Sequence, residues 1–411
     1  MRITILIFFL IVANLNAQNN YTLNVGEVKQ KKYHTTFDFQ YIADKIIIDV
    51  KINNKIRKFI LDTGAPTSLS SDIIAEGKFK QVLNLNVTDV NDVSQNMDAI
   101  QIPEFSINNL VFLNNYALQI EDMSPLECFK VEGIIGSNSL RNSVVEFDFK
   151  AKKITISDSI NAFGYGKVNE NELFFKDIQS TPILKIKMKL GYLSYSEEVI
   201  FDSGDDSFYS LSTNNLNKLF TIIKENKIPK ELQSINQSDL LGIIASSNGS
   251  FSFGLFGLAK ENIYYNFKIQ DFVFGTTNFN NIISTNTYSN NSRIGLEILK
   301  HGKLTLDYKK KKYYFEEYDN IKDINLNHNF KSIYPSYENE KLIVGIIWDN
   351  NLKDKIKVGD EILKINDIEF NKLTKCEILL MSYPDFKDSR ILNVELKDKE
   401  TNEIKRVEIQ N

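Results

Sequence analysis

Histidine and cysteine are scarce in this 411-residue chain, with three and two copies. His34, His301 and His328 stand far apart, and none pairs with a His, Cys or Glu at a metal-ligand spacing, which argues against a metalloenzyme. Cys128 and Cys376 make no disulfide framework, and both are expected to be unpaired, Cys376 as a small core residue. Charge of one sign is also lacking: the formal net charge is -4, which argues against nucleic acid as a partner. The basic run Lys309 to Lys312 is flanked by Asp307, Glu316 and Glu317 and reads as a solvated turn. No segment reaches the 18 continuous apolar residues of a membrane span. The first 17 residues instead read as a secretory leader. Arg2 is its positive start, Ile3 to Ala13 its apolar stretch, and Ala17 the small residue before a cut at Gln18. Export to a periplasmic or extracellular space is the expectation, with no membrane span after the leader is removed.

Strand patterns dominate to about residue 320. Lys45 to Ile52 is β-branched and is followed, after Asn53-Asn54, by a second run to Leu61, while Ile183 to Lys189 alternates apolar and charged residues. Two stretches look like copies: Phe59-Ile60-Leu61-Asp62-Thr63-Gly64-Ala65 and Val199-Ile200-Phe201-Asp202-Ser203-Gly204-Asp205. The similarity extends further. Ile134-Ile135-Gly136 and Arg293-Ile294-Gly295 each precede a strand pair, and twelve residues separate Gly136 from Asp148 and Gly295 from Asp307. A repeat this long, occurring twice, predicts two related lobes over 36–165 and 166–322, after a short linker at 18–35. The last part, 323–411, changes character and reads as a separate small domain.

Two carboxylates brought close cannot both ionise easily, so one stays protonated while its partner is charged. The charged one can take a proton from water and the neutral one can protonate a carbonyl oxygen, which suffices for peptide hydrolysis without a covalent intermediate, metal or cofactor. Gly64 and Gly204 would let the backbone approach, and Thr63 and Ser203 could tie the two loops together. The opposing reading is a duplicated β-lobe that kept Asp-Thr/Ser-Gly only as turn residues. A serine-protease reading has little to stand on: Gly136-Ser137-Asn138-Ser139 sits at a repeat position, and His34 would be its only upstream histidine.

These elements resemble the pepsin-like and retropepsin-like aspartic proteases, over about 285 residues. Asp62-Thr63-Gly64-Ala65 matches one half of the family pattern and Asp202-Ser203-Gly204 the other, with Gly136 and Gly295 in the later apolar-apolar-Gly element. The resemblance implies a mainly β protein with two six-stranded-type β-barrel lobes forming a cleft. It also implies catalytic roles for Asp62 and Asp202 and a peptide or unfolded protein as substrate. Asp205, Asp206 and Arg293 depart from the pattern and favour the rival reading, a catalytically inactive peptide-binding protein. For a flap over the cleft, Val87 to Gln101 in the first half lacks Gly and Tyr, whereas Gly242 to Gly257 in the second holds four glycines.

The C-terminal part resembles a PDZ domain in Lys357-Val358-Gly359-Asp360-Glu361-Ile362-Leu363-Lys364-Ile365-Asn366-Asp367. This implies a small α+β module that docks a protein C-terminus by strand addition. The groove strand would include Leu342, Ile343 and Val344, beside a helix over Leu373 to Met381. The loop before that strand, Tyr337 to Lys341, has no glycine and two glutamates, which weakens carboxylate capture. A packing or regulatory module with no free-peptide ligand is the other reading.

Overall fold

The computed structural model describes residues 21–165, 170–381 and 391–410. The leader at 1–17 lies outside them. Half of the described residues are in strands and 14% in helices, so the protein is mainly β.

The first sheet is built from β1 (Lys45–Ile52), β2 (Lys55–Asp62), β3 (Ser68–Ser70), β4 (Lys80–Thr88), β5 (Ser94–Ile107), β6 (Leu110–Ile120) and β7 (Gly133–Gly136), with short flanking strands. Asn53 and Asn54 join β1 to β2 with φ of 52° and 61°, left-handed values that suit the tight hairpin turn read at that dipeptide. β7 lies between β2, which it pairs in parallel (Gly136 opposite Asp62), and β3, which it pairs antiparallel. A short helix follows β3 at Ser71–Gly77.

The same arrangement recurs further on in β8 (Ile183–Leu190), β9 (Leu193–Phe201), β10 (Ser210–Ser212), β11 (Ile243–Gly249), β12 (Asn262–Phe274), β13 (Thr277–Thr287) and β14 (Arg293–Ile294). β14 pairs in parallel with β9 and antiparallel with β10, as β7 does with β2 and β3. A helix, Thr213–Lys224, follows β10. Both copies carry the sequence Ser-Leu-Ser in the equivalent strand, at Ser68-Leu69-Ser70 and Ser210-Leu211-Ser212. The strand pairs that close each copy meet: Val144–Asp148 lies antiparallel to Gly302–Asp307, with Val145 opposite Leu306. One continuous apolar core, from Ile46 and Phe59 through Phe147 and Phe201 to Leu306 and Phe315, runs under both copies. Burial on this scale holds the two Asp-bearing loops on a common base.

The tips of two hairpins also touch. The β4–β5 turn carries Asp89 and Asn91, and the segment after β11 carries Ser252 to Gly257. Asn91 Nδ2 donates to the Gly257 carbonyl at 3.0 Å, Ser252 Oγ donates to Asn91 Oδ1 at 2.7 Å, and the Phe256 N–H donates to Asp89 Oδ2 at 3.1 Å. Leu255 and Phe256 pack against an apolar cluster containing Leu85 and Met97 of that first hairpin. The two segments read from the sequence as flap candidates thus meet tip to tip.

The C-terminal part has its own core, including Leu342, Val344, Ile362, Phe370 and Leu396. β15 (Ile333–Glu338) and β16 (Lys341–Ile347) form a hairpin, and β17 (Glu361–Ile365) joins β16 at Ile343. The proposed groove strand needs correction. β16 is hydrogen-bonded to β15 along one edge and to β17 along the other, so Leu342, Ile343 and Val344 have no free edge for an added strand. β15 is paired on one side only among the described residues. The far end of β16 bonds to the end of β11: Gly249 lies opposite Ile346, and Ser250 N–H donates to the Gly345 carbonyl at 2.9 Å.

The cysteine expectation is overturned. Cys128 and Cys376 form a disulfide with Cα atoms 4.9 Å apart across 248 residues of sequence. It ties the turn Glu127–Phe129 of the first copy to the helix Lys375–Leu380 of the C-terminal part. Two cysteines this distant in sequence meet only because the C-terminal part folds back on the first copy. Glu127 and Lys375 pair beside the bridge at 2.6 Å.

Candidate active site

Asp62 ends β2 and Asp202 follows β9, so two strand ends deliver two carboxylates to one place. The loops that follow are interlocked. Thr63 N–H donates to Ser203 Oγ at 2.9 Å, and Ser203 N–H donates to Thr63 Oγ1 at 3.0 Å. Each hydroxyl then donates across to the opposite strand, Thr63 Oγ1 to the Phe201 carbonyl at 2.7 Å and Ser203 Oγ to the Leu61 carbonyl at 2.9 Å. Both side chains are fully buried, so these bonds are shielded from competing water.

The glycines are needed for space. A Cβ on Gly64 would overlap the Asp202 carboxylate, and one on Gly204 would overlap that of Asp62. Each glycine also orients its own aspartate: Gly64 N–H donates to Asp62 Oδ1 at 2.8 Å and Gly204 N–H to Asp202 Oδ1 at 2.9 Å. Ala65 N–H adds a bond to Asp62 Oδ1 at 3.1 Å. Gly136 and Gly295 lie beneath, where side chains would meet the backbone of Ala65-Pro66 and of Asp205 and Ser207. Asp202 N–H donates to the Ile294 carbonyl at 2.9 Å, which ties the second loop to its support.

Burial raises the Asp62 carboxyl well above the ordinary range, and the charge of Asp202 and a hydrogen bond to it push in the same direction. Lys45 opposes this weakly. Its ammonium donates to the Gly204 carbonyl at 2.6 Å, linking β1 to the opposite loop. Gln179 Nε2 likewise donates to the Gly64 carbonyl, at 3.0 Å.

Arg293 occupies the position where the pattern has an apolar residue. Its side chain is buried, and Nη1 donates to Asp202 Oδ2 at 2.8 Å. Nη2 donates to Ser289 Oγ at 2.6 Å, and Nε lies 4.0 Å from Asp205 Oδ2. Asp205 is raised by burial, with Arg293 pulling it down and Asp202 and Asp206 pushing it up; Asp206 itself is exposed. The residue was visible as an oddity before Ile294-Gly295, but nothing local in the sequence announces its partner.

Ser137, Asn138 and Ser139 are buried supports. Ser137 Oγ donates to the Thr63 carbonyl at 2.7 Å, Asn138 Oδ1 accepts from Thr67 N–H at 2.8 Å, and Ser139 Oγ meets Thr67 Oγ1 at 2.6 Å. His34 pairs with Ser157 in a strand and packs on Phe163. Among the described residues no group of three His, Cys, Asp or Glu could hold a metal ion.

No protein-family model and no curated protein matches the chain. Solved structures that resemble it include a retropepsin-like aspartic protease from Rickettsia conorii, 16% identical, with 31% of this chain and 95% of that one covered and a TM-score of 0.23. Basic 7S globulin from soybean is 10% identical over 69% of this chain and 94% of that one, with a TM-score of 0.37.

Proposed function

We propose that this chain is an exported aspartic-type endopeptidase, acting on peptides or unfolded proteins through Asp62 and Asp202. The observation that supports this most directly is the interlocked pair of loops. Thr63 and Ser203 hold two carboxylates together, with backbone N–H groups aimed at each. A pair sharing one proton can remove a proton from water while protonating the substrate carbonyl, and the resulting tetrahedral diol then collapses to acid and amine. On this reading 36–165 and 166–322 are related lobes, and the joined hairpin tips cover the cleft between them. The 323–411 part is a PDZ-like module that docks substrate or a partner's C-terminus. Its available edge is β15. The Cys128–Cys376 disulfide favours an oxidising compartment, in keeping with export.

The test is hydrolysis of an unfolded protein from acid to mildly alkaline pH by the leaderless chain, beside Asp62→Asn and Asp202→Asn. Cleavage by wild type and by neither variant supports the enzyme. A second reading, an inactive peptide-binding protein, is favoured by the grip of Arg293 on Asp202. It predicts peptide binding without cleavage at any pH.

A further inference from the structure

We infer that Arg293 is a positioning residue that makes the aspartate pair unequal, holding Asp202 as the carboxylate and leaving the shared proton on Asp62. The inference rests on the protease reading for its catalytic consequence, though not for its geometry.

The two carboxyl groups have closely similar backbone contacts, with one more N–H, from Ala65 at 3.1 Å, on Asp62 Oδ1 alone. Each accepts its own glycine N–H on Oδ1, and each loop is tied to the other by the same hydroxyl bonds. The repeat alone would therefore not place the proton on Asp62, since the extra N–H favours the charged form there. Arg293 outweighs that one neutral donor, because a hydrogen bond from a cation is the stronger of the two. β14 pairs with β9 on one side and β10 on the other, which fixes the backbone from which the side chain extends. Ser289 holds the second guanidinium nitrogen. Nη1 donates to Asp202 Oδ2 at 2.8 Å, inside the protein, and Nε makes no hydrogen bond. A buried guanidinium strongly favours the ionised form of a carboxyl it touches, and it cannot itself give up its proton.

The other charges around the site do not cancel this preference. Lys45 sits on the Gly204 carbonyl and acts weakly on Asp62. Asp205 lies 4.0 Å from Arg293 Nε, too far for a hydrogen bond, and its own Oδ1 is occupied by the Ser207 N–H at 2.7 Å. Asp206 is exposed and screened by water. Asp202 is thus the group that draws the proton from water, and Asp62 the one that supplies a proton to the carbonyl oxygen.

The test follows the carboxyl carbons of Asp62 and Asp202 through a pH titration of leaderless protein labelled with 13C-aspartate, assigned with the two Asn variants. The pH dependence of kcat/KM on an unfolded protein is measured in parallel. In wild type, Asp202 ionises first and Asp62 keeps its proton to higher pH; the reverse order overturns the inference without needing any variant. In Arg293→Met, the Asp202 titration and the acid limb of kcat/KM both rise by about 1–3 pH units, the usual effect of removing an adjacent cation. Arg293→Lys returns both at least halfway, which a purely packing role would not produce. Unmoved titration in Arg293→Met overturns the inference while leaving wild-type hydrolysis, and so the protease reading, intact. A wild type that cleaves nothing, with Asp202 still shifted by Arg293→Met, overturns the protease reading and leaves the charge assignment standing.

Discussion

Thr63 and Ser203 bond reciprocally, each backbone N–H donating to the other's hydroxyl, at 2.9 and 3.0 Å. One chain thereby closes on itself through two loops 140 residues apart. The lock works because each hydroxyl both accepts and donates, so no buried polar group in it is left over.

Thr63→Val should therefore strand the Ser203 N–H and the Phe201 carbonyl together. Leaving a buried group unpaired costs about 1–3 kcal/mol, more than the net worth of the bond itself. Thr63→Ser keeps the hydroxyl and should cost under about 1 kcal/mol, since only a methyl group is lost. Urea unfolding of the two variants and of Ser203→Ala measures this. Thr63→Val together with Ser203→Ala should lose less than the sum of the singles, because the two residues share partners. Full additivity would show that they act independently.

Gly204→Ala separates site geometry from stability. Its Cβ would overlap the Asp62 carboxylate, so the carboxylate or the loop must shift. A displacement of about 1 Å at a reacting group costs on the order of 100-fold in rate, while crowding costs about 1–3 kcal/mol of stability. The expected result is a folded protein with kcat reduced by at least that factor. Near-normal kcat would remove Asp62 from the reacting groups.

The central loops were readable before the structure because the duplication repeats them in register: Asp62-Thr63-Gly64 with Asp202-Ser203-Gly204, Gly136 with Gly295. The repeat reaches further, to Ser68-Leu69-Ser70 and Ser210-Leu211-Ser212, a match too short to stand out alone. Arg293 was visible as a departure, but its bond to Asp202 depends on strand order, which local periodicity does not encode. Strand order also explains the misplaced groove. Leu342-Ile343-Val344 is a continuous apolar run, as expected of an interior strand, and an interior strand has both edges occupied. The disulfide was illegible for a related reason: its partners lie 248 residues apart, and only the folded chain brings them together.

The bridge between Cys128 and Cys376 predicts no free thiol in the denatured, unreduced protein and two after reduction. Cys128→Ser with Cys376→Ser should lower stability by about 2–5 kcal/mol, with the loss concentrated where the C-terminal part meets the first copy. The neighbouring Lys375–Glu127 pair is exposed and should contribute no more than about 1 kcal/mol. Thiol titration and limited proteolysis of both forms check this. Two free thiols before reduction would refute the bridge.

Asp62 should make stability depend on pH in a definite direction. Burial, then the charge and hydrogen bond of Asp202, raise its carboxyl in the folded protein above the unfolded value near 4. A raised carboxyl contributes its stability fully below the unfolded value. That contribution is lost as pH climbs toward the folded one, because the unfolded chain releases the proton more readily. Asn cannot ionise, and its amide can still accept from Gly64 and Ala65 while donating to Asp202. Asp62→Asn should therefore match wild type near pH 4 and exceed it at pH 8 by roughly 1–2 kcal/mol, each pH unit of displacement being worth about 1.4 kcal/mol. On the protease reading that gain would come with loss of hydrolysis, the trade expected where a charged site is held together against its own repulsion. Urea unfolding at both pH values decides the matter: a difference that stays constant with pH, or shrinks as pH rises, would mean that Asp62 does not carry the buried proton.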